Sequence, residues 1–129
     1  MLKKLCLMSM IPFGMIQFAH ASNNNLGKQY NTCMKKAGGV TSKMHDCISA
    51  ETKRQDTRLN KSYKALMPTL NATRKKELQN VQRLWIKYRD ANCKFYYDPE
   101  GGSIAAVNSG VCYLEETAYR ATKLEDLKS

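Results

Sequence analysis

Gln82-Arg83-Leu84-Trp85-Ile86-Lys87-Tyr88-Arg89-Asp90-Ala91-Asn92-Cys93 is the stretch whose reading decides the fold. It holds the only tryptophan of the chain, a cysteine, and an arginine, Arg89, on the edge of an apolar face. At 100° per residue, Val81, Trp85, Tyr88, Asn92 and Phe95 share one side of a helix. Gln82, Arg89 and Cys93 border that side, and Arg83, Lys87, Asp90 and Lys94 lie opposite it. The spacing predicts a helix with a core stripe, a disulfide half at the edge of the stripe, and a charged back. On that back Asp90 and Lys94 are placed to form an i,i+4 surface pair.

Periodic helical pattern extends on both sides of this stretch. A short helix is expected from about Leu26 to Ala37 and is stopped by Gly38-Gly39. A second, capped by Thr41 or Ser42, continues to about Met67, where Pro68 ends it. The third runs from about Asn71 to Tyr96. Asp98-Pro99-Glu100-Gly101-Gly102 forms a loop. Ser103 is placed to cap a last helix, with Ile104, Val107, Val111, Leu114, Ala118, Ala121 and Leu124 at 3–4 spacing. No strand alternation is visible. The pattern predicts an all-α fold, an antiparallel bundle of three long helices plus a short N-terminal helix.

The first residues read differently. Lys3 and Lys4 precede an apolar run from Leu5 to Phe18, followed by Ala19-His20-Ala21. That is the layout of a cleaved secretory signal peptide over residues 1–21, leaving 22–129 as a single domain. The run is too short for a comfortable membrane span and is broken by Pro12 and Gly14. Cys6 is too early to serve as a lipoprotein cysteine. The expected protein is exported and soluble, in the periplasm or outside the cell. Removing the leader takes the formal charge from +10 to +8.

Four of the five cysteines remain after the leader: Cys33, Cys47, Cys93 and Cys112. An even count in an exported chain reads as disulfides, and spacing alone allows three pairings. The helix layout chooses among them. Cys33 and Cys47 flank the Gly38-Gly39 turn, and Cys93 and Cys112 flank the Gly101-Gly102 turn, so each pair staples one hairpin.

The second helix has a polar gap in its stripe. Thr52 and Gln55 lie between Ile48 and Leu59, with Glu51 and Asp56 at the edges. In an antiparallel hairpin that gap falls opposite Gln82, Arg89 and Asn92. A structural polar layer of Glu51, Gln55, Asp56, Gln82, Arg89 and Asn92 is expected, with Glu51 or Asp56 pairing with Arg89 beside Trp85. A bundle this narrow should leave little room for a ligand cavity.

No catalytic residue, metal ligand set or cofactor motif is visible. His45 is the only histidine after the leader, and with Cys47 it makes a His-x-Cys without further ligands. Glu115 and Glu116 are adjacent, so they point different ways on a helix. Lys53-Arg54, Arg58, Lys61, Lys64, Arg74-Lys75-Lys76, Arg83 and Lys87 read as a solvated helical face, and no nucleic-acid motif accompanies them. The interaction candidate is the turn after Cys93, where Tyr97, Asp98, Glu100, Gly101 and Gly102 combine an aromatic, acids and glycines beside a helix start.

Several stretches in order resemble a known family. They are Asp46-Cys47-Ile48 with Glu51, Asp56-x-x-Leu59-Asn60-x-x-Tyr63-x-x-Leu66, Gln82-x-x-Trp85-x-x-x-Arg89-Asp90-x-x-Cys93, Gly101-Gly102-Ser103-Ile104, and Cys112 with Thr117 and Arg120. Together they look like the LprI-like lysozyme-inhibitor domain, over about Cys33 to Leu127. The resemblance implies a small exported α-helical domain with disulfides that inhibits lysozyme or another cell-wall hydrolase by binding it, and is no enzyme itself. The basic surface supports a second reading, a non-inhibitory envelope module that binds an anionic polymer or a partner protein.

Overall fold

The computed structural model describes residues 26–128. The leader expected over residues 1–21 lies outside the described residues. Helix α1 spans Lys28–Ala37, α2 Thr41–Leu66, α3 Ala72–Phe95 and α4 Gly102–Asp126, with a 3-10 turn at Met67–Thr69. The fold is all-α, with no strand among the described residues. Gly38 and Gly39 end α1 with φ of 56° and 81°, left-handed values that a side chain disfavours.

The caps differ in part from expectation. Asn71 starts α3, and its Oδ1 accepts from the Arg74 N–H at 3.0 Å. Thr41, Ser42 and Ser103 cap nothing. The preceding residues at those two starts are Val40 and Gly101, neither with a side-chain cap bond.

Helix α4 is the centre of the bundle. It buries Ala105, Val107, Leu114, Thr117, Ala118, Ala121 and Leu124, and packs along α2 on one side and α3 on another. A Cβ on Gly110 would come within 3.2 Å of Ile48 Cγ2, so the absence of a side chain there lets α2 and α4 approach closely. One apolar cluster joins Tyr30, Ala37, Cys47, Ile48, Val107 and Leu114 at the Gly38 end. A second joins Leu59, Leu66, Leu78, Ala121 and Leu124 at the other end. Two disulfides, Cys33–Cys47 and Cys93–Cys112, staple α1 to α2 and α3 to α4.

The orientation of α3 corrects the wheel reading. Val81, Tyr88 and Phe95 were expected in the core, yet all three are exposed, Phe95 to 86%. The buried line is Leu78, Arg89 and Cys93, with Gln82, Trp85 and Asn92 half-buried. Relative to the all-apolar alignment, the helix is turned by roughly 80° at 100° per residue. The staple gives the reason. Cys93 must face α4 to reach Cys112, and that turn brings Arg89 inward and carries Tyr88 and Phe95 out.

Candidate functional site

The two apolar clusters are separated by buried polar side chains, Glu51, Gln55, Thr117 and Arg89. Their pairing is not the one expected. Glu51, only 1% exposed, accepts from Gln55 Nε2 at 2.7 Å, Arg54 Nε at 2.7 Å and the Gly27 N–H at 3.3 Å. It therefore ties the start of α1 to α2 and does not meet Arg89. Asp56 is exposed and accepts from Asn60 at 3.1 Å, so it does not meet Arg89 either. The hairpin count assumed that α3 lies along α2. In the structure α3 lies along α4, which puts Thr117 and Tyr113 across from Arg89.

Arg89 is held on both faces. Its guanidinium carbon sits 3.8 Å from the Tyr113 ring centroid and 4.8 Å from the Trp85 centroid. Its Nη1 donates to Thr117 Oγ1 at 3.3 Å, and its Nε and Nη2 donate to Asp90 Oδ1 at 3.1 and 3.0 Å. Asp90 thus serves Arg89 in place of the expected Lys94. Gln82 accepts from Arg120 Nε at 2.9 Å, linking α3 to α4. Asn92 sits against the staple, with Nδ2 3.7 Å from Cys112 Sγ. The six residues of the expected layer are therefore divided among five separate contacts.

Arg58, expected on a solvated face, is instead half-buried and paired. Its Nε and Nη2 hold Glu125 at 2.8 and 2.5 Å, its Nη1 donates to Gln55 Oε1 at 3.1 Å, and its Nη2 also reaches Thr122. A relay of side chains thus runs from Glu51 through Gln55 and Arg58 to Glu125. The signal was present in the sequence: Arg58 lies three residues after Gln55 and four before Ser62, on the edge of the α2 stripe.

Burial pushes the Glu51 carboxyl up, but the bonds from Gln55, Arg54 and the Gly27 N–H outweigh it and hold the group below the usual carboxylate range. The hydrogen bonds from Arg58 lower Glu125 as well. A folded-state pKa below the unfolded one adds stability that is present above the ordinary carboxylate value and lost as pH falls through the folded value. The melting temperature should therefore drop on acidification below about pH 4. Glu51→Gln should cost about 2–3 kcal/mol at pH 7, because Arg54 and Gly27 lose a charged acceptor. Its deficit relative to wild type should narrow toward pH 3, and melting curves across that range check both signs.

Among the described residues, two surfaces flank α3. The first is a line of apolar side chains along the open side of α3. Val81, Leu84, Tyr88 and Phe95 recur at helical spacing, and Leu84 and Tyr88 are each 56% exposed. At 1.5 Å per residue the line is about 20 Å long. Lys76, Lys87 and Lys94 lie further round the same helix, all exposed. It runs into the turn after Cys93, where Phe95 packs edge-on to Tyr96 and both Tyr96 and Tyr97 are about half exposed.

The turn itself is ordered by short-range bonds. Asp98 Oδ1 accepts from the Glu100 N–H at 2.9 Å, and its carbonyl accepts from Gly101 at 3.0 Å. Gly102 takes φ 65°. Ser109 donates to the Cys93 carbonyl at 2.9 Å, adding to the staple. Of the expected turn residues, Tyr97, Asp98, Glu100 and Gly102 are exposed and Gly101 is half-buried. The wheel reading missed Leu84 and assigned Val81, Tyr88 and Phe95 to the core.

The second surface is a groove of about 450 Å³ between α2 and α3, lined by Asp56, Asn60 and Tyr63 on one wall and Gln79, Gln82, Arg83, Trp85 and Arg89 on the other. The hollow is a surface groove open to solvent, left because α3 leans on α4 and not on α2.

A family model described as Lysozyme inhibitor LprI matches residues 33–124. The chain belongs to the LprI lysozyme inhibitor family. The match starts at the first cysteine of the Cys33–Cys47 staple and ends at Leu124, so it takes in both disulfides, the turn after Cys93 and the whole of α3. An uncharacterized protein of Rhizobium meliloti (strain 1021) is 28% identical over 95 residues, covering 63% of this chain and 68% of that one. No solved structure matches.

Proposed function

We propose that this protein acts outside the cytoplasm as an inhibitor of lysozyme or another peptidoglycan-degrading enzyme, by protein–protein binding and without catalysis of its own. Export is supported by the leader pattern at residues 1–21 and by two disulfides, which persist in oxidising compartments. No helix among the described residues is long and apolar enough to cross a membrane. The observation that carries the inhibitory reading, beside family membership, is the exposed apolar line on α3 leading into the stapled aromatic turn. Contiguous exposed apolar surface of this kind marks partner sites, and aromatics dominate binding energy at such sites. Tyr97, Asp98, Glu100, Gly101 and Gly102 form its tip, and the two acids supply the local charge with which a basic enzyme would be met.

A turbidity assay tests the reading. Purified protein lacking the leader should slow lysis of cell-wall suspensions at micromolar concentration with at least one lysozyme type. Unaltered lysis across several lysozyme types would refute it. The net basic charge supports the second reading, a module that holds an anionic envelope polymer. Salt-sensitive binding to such a polymer without inhibition would favour that alternative.

A further inference from the structure

We propose that a hollow at the α2–α3 turn end of the bundle, with Arg120 on its wall, is a site for a slim apolar carboxylate of the fatty-acid type. Its volume is about 270 Å³, just under the usual small-molecule range of about 300–1,000 Å³. Leu66 and Leu78, both buried in the core, form its floor. Leu70, Val81 and Leu127 complete an apolar lining, and the last two are exposed. A small hollow walled by leucines suits a single alkyl chain better than a ring bearing many hydroxyls. It adjoins the apolar line of α3 at Val81, but the proposal does not depend on the inhibitory reading.

Charge decides the other end of the ligand. Three charged side chains line the hollow, and two of them, Arg74 and Glu77, pair with each other. Arg120 is left as the uncompensated cation. Its Nε donates to Gln82 at 2.9 Å, and its guanidinium carbon lies 5.9 Å from the Trp85 ring centroid. That Nε bond is its only hydrogen bond among the described residues, and Nη2 is buried without a partner. Burial lowers the Arg120 pKa, and no neighbouring carboxylate acts to raise it.

A buried donor on a cation is costly to leave unpaired, and folded proteins retain few such groups. A carboxylate fills that need, because it accepts from both terminal nitrogens of one guanidinium through parallel bonds. A neutral alkyl ligand would leave the fork empty, and a small anion would leave the leucines uncovered. The ligand class that meets both is an alkyl chain ending in a carboxylate.

Calorimetric titration of the leader-free protein tests this with octanoate as the probe. Binding at pH 7 should saturate, with half-saturation on the order of 1 mM. Neutral octanamide and chain-free acetate should each bind at least about tenfold more weakly. Arg120→Gln should remove the preference for octanoate over octanamide. That variant also disturbs the bond to Gln82, so Leu127→Asp serves as a second one. It sets a like charge at an exposed position of the lining and should weaken octanoate at least about tenfold. A melting temperature within about 2 °C of wild type confirms that this surface variant is folded. No saturable heat up to about 10 mM octanoate, equal affinity for octanamide or acetate, or unaltered octanoate binding by the folded Leu127→Asp protein would overturn the assignment.

Discussion

Arg89→Ala is expected to destabilise the protein by about 3 kcal/mol, although the carboxylate it pairs with, that of Asp90, is exposed. The side chain is buried, and its stem and guanidinium fill the space between Trp85 on α3 and Tyr113 on α4. A desolvated cation on an aromatic face contributes about 1–2 kcal/mol, and here there are two faces. Truncation also removes the packing of a long stem and leaves a cavity beside the rings. The contact with Asp90 adds little, since that carboxylate is more than half exposed. In a domain of about 100 residues such a loss lowers the melting temperature on the order of 15 °C. Arg89→Lys should recover less than half of it, because an ammonium lacks the flat surface that two rings can sandwich. Urea unfolding of the three proteins checks this. A loss below about 1 kcal/mol for Arg89→Ala would mean that the sandwich is not what joins α3 to α4.

The second large effect concerns the staple one helical turn further along the same interface. Replacing both Cys93 and Cys112 by serine should cost about 3 kcal/mol, from the chain freedom that closing a loop of this length removes from the unfolded state. The cost should be local in its consequences. Between Cys93 and Gly101 the turn relies on backbone bonds, the Asp98 carboxylate and Ser109. Without the bridge, amide exchange should accelerate over residues 94–104 and leave α2 largely protected. Cys33→Ser/Cys47→Ser should instead loosen α1, and spare the turn. Exchange measured on both double variants distinguishes the two, and equal acceleration everywhere in the Cys93/Cys112 variant would contradict a local role.

Local features of this fold are legible in the sequence, and contacts between helices are not. Element order, the Gly38-Gly39 stop and the α4 core stripe are all visible as periodicity and punctuation, because they are local or depend on one helix alone. The rotation of α3 is not. Its apolar residues occupy two stripes, and hydrophobicity cannot tell which faces the bundle; Cys93 could have, since a staple to Cys112 fixes which edge meets α4. Partner choice in the polar layer failed for a related reason. Counting residues from the turn gives the level of a side chain along the bundle but not its neighbour across it, so Arg89 was set against α2 when its level on α4 holds Tyr113 and Thr117. The exposed line Val81–Leu84–Tyr88–Phe95 was hidden by the assumption that apolar residues on a helix face inward. A face left uncovered is itself the sign of a partner.

In the proposed reading α3 has two working sides, one built into the bundle around Arg89 and one open to a target enzyme. Leu84→Asp puts a charge in the middle of the open side and touches nothing inside. Measured against wild type with a lysozyme that the wild-type protein inhibits, it should melt within about 2 °C of wild type, as surface substitutions do, while inhibition falls at least tenfold. A drop in melting temperature on the scale expected for Arg89→Ala, or full inhibition by the folded variant, would contradict it.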